Sequence, residues 1–194
     1  MRKSIFLLSF IAAAVVITVM SCDDKKTKST ATATISNDSL VKRGAYLVNA
    51  IGCDDCHSPK RMGAQGPELI PELRFSGFQA KNPIAKADTN VLKQGWVLLA
   101  PDLTSAVGPW GMSFAANITS DQTGIGAWSE KQFMKAIREG KSKGLDGARD
   151  LLPPMPWFVY KNLNDDDIRS IFAYLKTTKP VENVVPAPKL PSDL

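Results

Sequence analysis

The chain has 194 residues, of which 44% are hydrophobic and 22% are charged. These values are typical of a globular domain, and they exclude a disordered chain or a protein with several membrane spans. The formal net charge is only +5, partly from Arg2 and Lys3, and no basic stripe is interleaved with aromatic residues, so nucleic-acid binding is not predicted.

Residues 1–21 have the features of a secretory signal, with a basic start and an uncharged stretch from Ile5 to Met20. The stretch ends in Val19-Met20-Ser21-Cys22, which resembles a lipobox and implies cleavage before Cys22 and a lipid on its sulfur. The alternative is an uncleaved anchor, although 16 residues are short for a membrane span, which needs about 20. Both interpretations predict a domain that lies outside the cytoplasm and is tethered to a membrane.

Residues 22–38 are polar and rich in Ser, Thr and Ala, which predicts a flexible tether. A helix is predicted from Ser39 to Ile51, with its N-cap at one of residues 37–39. Gly44 lies within this helix, where glycine is normally unfavourable, so we expect it to contact another helix closely. Gly52 ends the helix and lets the chain turn.

Cys53-Asp54-Asp55-Cys56-His57 matches the pattern for covalent attachment of c-type haem. Two thiols at this spacing can form thioethers with the two vinyl groups of one porphyrin, and His57 then lies under the iron as an axial ligand. A structural zinc site needs four protein ligands, usually Cys and His, whereas the chain with a lipidated Cys22 offers only three. A thioredoxin-like pair would accompany a βαβ pattern, which this sequence lacks. We therefore predict one haem c, held by Cys53 and Cys56.

Two further helices are predicted toward the C-terminus. Ser129 and Gln132 suit a capping box for a helix that extends to Gly140. Asn164 is a candidate N-cap for a last helix, in which apolar residues recur at i, i+3, i+4 and i+7. Pro180 lies just beyond the end of that helix.

Met155 is the predicted sixth ligand of the iron. It lies in the segment from Leu151 to Trp157, where three prolines favour an extended backbone that can present a thioether at low entropic cost. Met62, Met112 and Met134 are the alternatives, and Met112 is the strongest of them. Met155 is preferred because it lies just before the last helix, as the ligand does in small cytochromes c.

These motifs together resemble a cytochrome c domain, in particular the domains attached to periplasmic alcohol and sugar dehydrogenases. Similar stretches in those domains correspond to residues 117–121, 123–126 and 128–133, and to the Pro-Met-Pro segment. The resemblance implies an all-α, small cytochrome c fold over residues 39–180, with a long loop insertion at residues 70–115. Residues 181–194 are then a C-terminal tail. It also implies that Gly44 crosses the last helix at Tyr174 or Ile171.

The resemblance also implies roles for single residues. In cytochromes c, a Gly-Pro-x-Leu stretch supplies a proline carbonyl that accepts a hydrogen bond from the Nδ1–H of the axial histidine. The resemblance therefore implies that the Pro67 carbonyl accepts this bond from His57. Asn117 and Trp128 could supply the hydrogen-bond donors that buried haem propionates need. Trp110 and Arg138 are further candidates for this role.

The predicted function is electron transfer by a membrane-anchored, extracytoplasmic carrier, and the chain is not expected to be an enzyme. Its predicted partners are a dehydrogenase or an oxidase, together with the membrane that holds the lipid anchor. One alternative is a subunit of a dehydrogenase complex, although such subunits often have three haem domains and this sequence has one CxxCH. Another is a haem enzyme or sensor with a displaceable methionine, but a peroxidase usually has a distal acid or base, and no second histidine exists.

Overall fold

The structure is a computed structural model, and it describes residues 36–194. The predicted signal segment, the lipidation site Cys22 and most of the predicted tether lie outside the described residues. None of the helices in residues 36–194 combines the length and the apolar character that a membrane span requires.

Helices and short strands alternate along the described residues. The helices are α1 (Asn37–Ala50), α2 (Cys53–His57), α3 (Thr89–Lys93), α4 (Glu130–Glu139), α5 (Trp157–Tyr160) and α6 (Asp165–Leu175). The strands are β1 (Lys60–Gly63), β2 (Gly66–Leu69), β3 (Leu98–Leu99), β4 (Ser105–Gly108) and β5 (Gly111–Phe114). Three 3₁₀ turns cover Pro71–Leu73, Ser142–Gly144 and Pro191–Asp193.

Helix α1 begins two residues earlier than predicted. Ser36 is its N-cap, and the Ser36 hydroxyl accepts a hydrogen bond from the Ser39 backbone N–H at 3.2 Å. The helix therefore extends into the segment that was predicted to be tether. Gly52 adopts a left-handed conformation with φ of 74°, which a glycine accommodates without strain and which turns the chain from α1 into α2.

The predicted crossing between the first and last helices is confirmed. A Cβ atom on Gly44 would lie 1.9 Å from the backbone oxygen of Ser170 and 2.7 Å from the Cβ of Tyr174. Only glycine allows this approach of the two backbones. The residues at the contact are therefore Ser170 and Tyr174, rather than Ile171. Helix α6 is capped as predicted, because the Asn164 side chain accepts from the Asp167 N–H at 2.7 Å.

Helices α1, α4 and α6 enclose one apolar core, in which the loop residues Phe75 and Ile125 are also buried. The capping box of α4 is confirmed, since Ser129 accepts from the Gln132 N–H while the Gln132 side chain accepts from the Ser129 N–H. The cap fixes the start of α4, and the apolar core holds α1, α4 and α6 together.

The predicted helical framework is confirmed, but the described residues also contain two small antiparallel sheets. Strands β1 and β2 form a hairpin just after α2, and β3, β4 and β5 form a meander within the predicted insertion. Phe78 of the preceding loop packs against Phe114 of β5, with ring centroids 4.7 Å apart. The meander buries apolar side chains of residues 70–115, among them Ala106, Val107 and Met112.

Residues 181–194, the predicted C-terminal tail, pack onto the domain. The Asn183 side chain donates to the Ser76 and Phe78 carbonyls at 2.8 and 2.9 Å, and the Met112 and Lys189 backbones exchange two hydrogen bonds of 3.0 Å. The compact unit that contains the described residues continues to Leu194.

Candidate cofactor site

A cavity of about 460 Å³ lies between α2 and the segment that contains Met155. Cys53, Cys56, His57 and Met155 all line it, and most of the remaining lining is apolar. Helices α4 and α6 supply Phe133, Ala136, Ile137, Ile171 and Leu175 to its walls. We refer to Cys53–His57 as the attachment wall and to Leu151–Trp157 as the methionine wall.

The two cysteines of the attachment wall are free and lie on one turn of α2. Burial raises the pKa of Cys53 to about 12, with further contributions from Asp54 and Asp55, and burial also raises the pKa of Cys56. Both side chains are therefore neutral thiols at physiological pH. Neutral sulfur suits an apolar wall, and conversion to a thioether keeps it neutral.

His57 is oriented by a backbone carbonyl. Its Nδ1–H donates to the Ala116 carbonyl oxygen at 2.7 Å, which leaves the Nε2 lone pair for a metal. Burial lowers the pKa of His57, although the Ala116 bond opposes this shift, so the imidazole is in the neutral form that metals bind.

The assignment of this acceptor to Pro67 is wrong. Pro67 is exposed in β2, where it pairs with Met62 across the hairpin. The inserted loops bring Ala116 to His57 instead, because the Gly77 N–H donates to the His57 carbonyl and the Phe78 N–H donates to the Ala115 carbonyl, at 2.8 and 3.0 Å. The sequence does not indicate Ala116, because it is the backbone carbonyl of this residue, not its side chain, that accepts the bond from His57.

Asp54 and Arg74 form an ion pair that fixes α2. The Arg74 guanidinium donates to both Asp54 oxygens, the shortest bond being 2.6 Å, and also to the Asn49 side-chain oxygen of α1 at 2.8 Å. The Ser58 hydroxyl donates to Asp54 at 2.7 Å. Burial alone would raise the pKa of Asp54, but the bonds from Arg74 and Ser58 outweigh it and hold that pKa below its ordinary value.

Lys60 fastens the end of α2 from the other side. Its Nζ lies 2.6–3.2 Å from four backbone carbonyl oxygens, those of Asp54, Asp55, Ser58 and Asp102. A cation is favourable near the carbonyl end of a helix, and this one also joins α2 to the loop before β4. Sequence reasoning missed Lys60, because its partners are backbone atoms, one of them 42 residues away.

The methionine wall is held by turns and by few side-chain bonds. The Leu151 N–H donates to the Gly140 carbonyl at 2.6 Å, and the Met155 N–H donates to the Leu152 carbonyl at 3.2 Å. The Ser113 hydroxyl of β5 donates to the Pro153 carbonyl at 2.6 Å. These three bonds, together with the prolines, define the path of the segment along the cavity.

The other methionines of residues 36–194 do not line this cavity. Met112 is buried in β5 at 5% exposure, and Met62 is 69% exposed on the hairpin. Met134 of α4 packs against the core. Within the described part of the chain, Met155 is therefore the one thioether that faces the same cavity as His57.

The predicted propionate partners have different surroundings. Asn117 lines the cavity, but its amide N–H groups point to the Val181 carbonyl and the Thr123 hydroxyl, at 2.8 and 3.1 Å. Its side chain therefore joins two loops, which does not support a propionate role. Trp128 also lines the cavity, and its indole N–H has no hydrogen-bond partner among the described residues, so its role stays a prediction.

Trp110 and Arg138, the two further candidates for the propionates, do not line the cavity. The Trp110 indole N–H donates to the Ser113 hydroxyl at 3.2 Å. Arg138 forms an ion pair with Asp165. These contacts direct both side chains to other partners.

The residues present fit a haem better than a bare metal ion. No three His, Cys, Asp or Glu side chains in residues 36–194 converge in a way that could hold a metal ion. The cavity instead offers two sulfur atoms and an imidazole on one wall, a thioether on the other, and apolar side chains between them. A planar, largely apolar cofactor with axial nitrogen and sulfur ligands matches this set.

Several known proteins are similar to this chain. It is 44% identical over 80 residues to a nicotinate dehydrogenase subunit of Pseudomonas putida, which covers 41% of the chain and 6% of that protein. It is 31% identical over 153 residues to the fructose dehydrogenase cytochrome subunit of Gluconobacter japonicus, covering 78% of the chain and 24% of the subunit.

A third relative is the gluconate 2-dehydrogenase cytochrome c subunit of Pantoea cypripedii, at 34% identity over 140 residues, which covers 72% of the chain and 23% of that subunit. The chain thus spans about a quarter or less of the length of the curated relatives it matches. The family model for cytochrome c matches residues 41–179, and this family implies covalently bound haem c. With its CxxCH on the wall of an apolar cavity and the match over most of its length, the chain belongs to the cytochrome c family.

Proposed function

We propose that this protein is an electron carrier with one haem c, bound covalently to Cys53 and Cys56 and ligated by His57 and Met155. The observation that carries the proposal is the cavity, in which His57 and Met155 lie on different walls and Met155 is the lining methionine of the described residues. The dehydrogenase cytochrome subunits among the relatives support electron transfer as the general role.

When bound, haem supplies reversible one-electron exchange between Fe(III) and Fe(II). The protein residues set the conditions for that exchange. The Ala116 carbonyl holds His57 in one tautomer and orientation, so that Nε2 faces the cavity. The Met155 thioether is a soft ligand that favours the reduced state, and His/Met ligation accordingly raises the reduction potential.

The same residues argue against catalysis by this domain. A haem enzyme needs a vacant axial position, and here each axial position has a candidate protein ligand. The main alternative is an enzyme or sensor in which Met155 leaves the iron. The prolines on both sides of Met155 restrict its backbone, which opposes this displacement.

We also propose where the carrier works. The N-terminal motif supports export and a lipid on Cys22, so the domain would be tethered to a membrane on its extracytoplasmic side. A dehydrogenase is the favoured electron donor, because cytochrome subunits of dehydrogenases are among the relatives. A terminal oxidase is a suitable acceptor for the same chemistry. Intact mass of the membrane-extracted protein tests the anchor, and an unmodified Met1 start would contradict it.

Two measurements on the holoprotein test the proposed function. A pyridine haemochrome assay should give one covalently bound haem per chain, and Cys53→Ala with Cys56→Ala should abolish covalent attachment. The reduced protein should bind carbon monoxide slowly or not at all at neutral pH, because both axial positions are filled. Rapid binding would favour the enzyme or sensor alternative, and absence of covalent haem would contradict the proposal.

A further inference from the structure

Two cations line a cavity that is otherwise almost free of charge. Its charged lining residues are Lys143 and Arg149, since His57 is neutral, and no Asp or Glu of residues 36–194 lines it. Both cations belong to the loop between α4 and the methionine wall. An apolar cavity with two cations and no carboxylate is suited to a ligand that is largely apolar and carries two negative groups.

The backbone of this loop brings the two cations together. The Ser142 N–H donates to the Arg149 carbonyl at 2.9 Å, and Lys141 and Asp150 form an antiparallel bridge. Lys143 and Arg149 are therefore neighbours across the loop, although they are six positions apart in the sequence. Both residues line the cavity, so this one loop supplies both cations.

Two neighbouring cations already have carboxylate partners. Lys141 pairs with Asp150 and Lys135 pairs with Asp146, each at 2.7 Å. For Lys143 and Arg149, no carboxylate within residues 36–194 lies within the 4.0 Å of an ion pair. The Arg149 Nη1 donates only to the Asp150 backbone oxygen, at 2.8 Å. In the loop from Gly140 to Asp150, Lys143 and Arg149 are thus the two cations that have no carboxylate partner among the described residues, and both line the cavity.

Lys143 adopts an uncommon backbone conformation. Its φ is 57°, in the left-handed region that few residues other than glycine occupy, and Gly144 follows with φ of 60°. A Cβ on Gly144 would lie 1.9 Å from the Gln132 carbonyl oxygen of α4, so close packing against α4 enforces this turn. Such conformations persist where the surroundings enforce them, and they concentrate at binding sites.

We propose that Lys143 and Arg149 bind the two propionate carboxylates of the haem, an assignment that rests on the proposed function. Attachment at Cys53 and Cys56 uses the vinyl edge of the porphyrin, and the two propionates lie at the opposite edge. Carboxylates at the border of an apolar cavity need cationic partners or hydrogen-bond donors. Lys143 and Arg149 supply one positive charge for each of the two carboxylates.

The assignment links the cofactor to the methionine wall. The loop from Gly140 continues directly into Leu151, so one segment carries both propionate contacts and the axial Met155. Each cation also stabilises the more negative, reduced state of the haem. Loss of a cation should therefore lower the reduction potential.

The test compares Lys143→Gln, Arg149→Gln and the double variant with Lys141→Gln in the full-length holoprotein. Lys141→Gln is the matched control, because it removes a cation of the same loop that already pairs with Asp150. Carboxylate bands in the redox-difference infrared spectrum should shift in the first three variants and stay unchanged in the control. Each single loss should change the Fe(III)/Fe(II) equilibrium about threefold, or about 28 mV at 59 mV per tenfold.

Arg149→Lys keeps the positive charge, so its reduction potential should be close to that of the unmodified protein. Haem content and the spectrum of the axial ligands verify that each variant is folded. Unchanged carboxylate bands in Lys143→Gln and Arg149→Gln, or equal changes in Lys141→Gln, would overturn the assignment. Absence of covalent haem in the unmodified protein would instead overturn the proposed function, and this assignment with it.

Discussion

The two walls of the cavity are held in different ways. The attachment wall is fastened by charged side chains, since Arg74 binds Asp54 and Lys60 binds the carbonyls at the end of α2. Among the described residues, the methionine wall has one side-chain bond to its backbone, from Ser113 to Pro153, and otherwise depends on prolines and turns. The attachment wall is held by a network of hydrogen bonds, whereas the methionine wall is held by its restricted backbone.

This difference matches the demands on the two ligands. The attachment wall must hold two cysteines and His57 in one register, which requires several fixed groups. The methionine wall must present a single thioether, and restricted backbone angles are sufficient for that. We therefore expect substitutions on the attachment side to affect stability, and substitutions on the methionine side to affect ligand exchange at lower cost in stability.

Gly44→Val should have the largest effect, because it separates the helix that leads into the attachment wall from α6. A side chain there would overlap the Ser170 backbone, and we expect a loss of about 3 kcal/mol or more in the free energy of unfolding. Ala50→Val, at an exposed position of the same helix, should cost no more than about 0.7 kcal/mol. Denaturant titration measures both, and equal costs would contradict the helix crossing.

Arg74→Met should have the next largest effect on stability. It leaves the Asp54 carboxylate, which is 16% exposed, without its ionic partner, and it removes the bond to Asn49. We expect a loss of about 2 kcal/mol. Arg61→Met is the control, since Arg61 is exposed and lies 3.8 Å from Glu68, where such pairs contribute about 0.5 kcal/mol or less. If both variants unfold at the same denaturant concentration, the attachment wall does not depend on this network.

Asp54 should also give the attachment wall an acid dependence. Its pKa is lower in the folded protein than the ordinary value of about 3.9, so its contribution to stability is present above that value and is lost as pH falls through the folded pKa. Asp54→Asn should therefore lose less stability than the unmodified protein on acidification below about pH 4. Parallel pH profiles for the two proteins would show that Asp54 is not the responsible group.

Ser113→Ala should have a small effect on stability, about 1 kcal/mol for each neutral hydrogen bond that it removes, the one to the Pro153 carbonyl and the one from the Trp110 indole N–H. Its effect on ligand exchange should be more evident, with faster carbon monoxide binding by the reduced protein. Ser192→Ala, whose hydroxyl bonds only to exposed Asp193, is the control and should change neither quantity. If carbon monoxide binding becomes faster in the control, or does not become faster in Ser113→Ala, the proposed difference between the two walls is wrong.

Much of the framework could be predicted because its signals are local. The caps at Asn164 and Ser129, the turn at Gly52 and the close contact at Gly44 each depend on a few adjacent residues. The Ala116 carbonyl and the Lys60 contacts could not be predicted, because backbone atoms of distant loops supply them. Lys143 and Arg149 had a partial signal, since they lie just before the Pro-Met-Pro segment, but their charge became informative only beside an otherwise apolar cavity.

The packing of the C-terminal residues was not predicted. The sequence pattern placed a tail after Pro180, just beyond the last helix, which ends at Leu175. In the structure, Asn183 fills a gap between loops at Ser76 and Phe78, a contact that spans more than 100 residues. No local pattern could indicate that a polar residue near the C-terminus is buried in this way.

The most direct test of His57/Met155 ligation is the near-infrared absorption of the oxidised protein, which reports a methionine sulfur bound to ferric haem. Met155→Ala should lose this absorption, and Met112→Ala, which removes a buried methionine outside the cavity, should retain it. Retention in Met155→Ala together with loss in Met112→Ala would contradict the assignment of Met155 as the axial ligand.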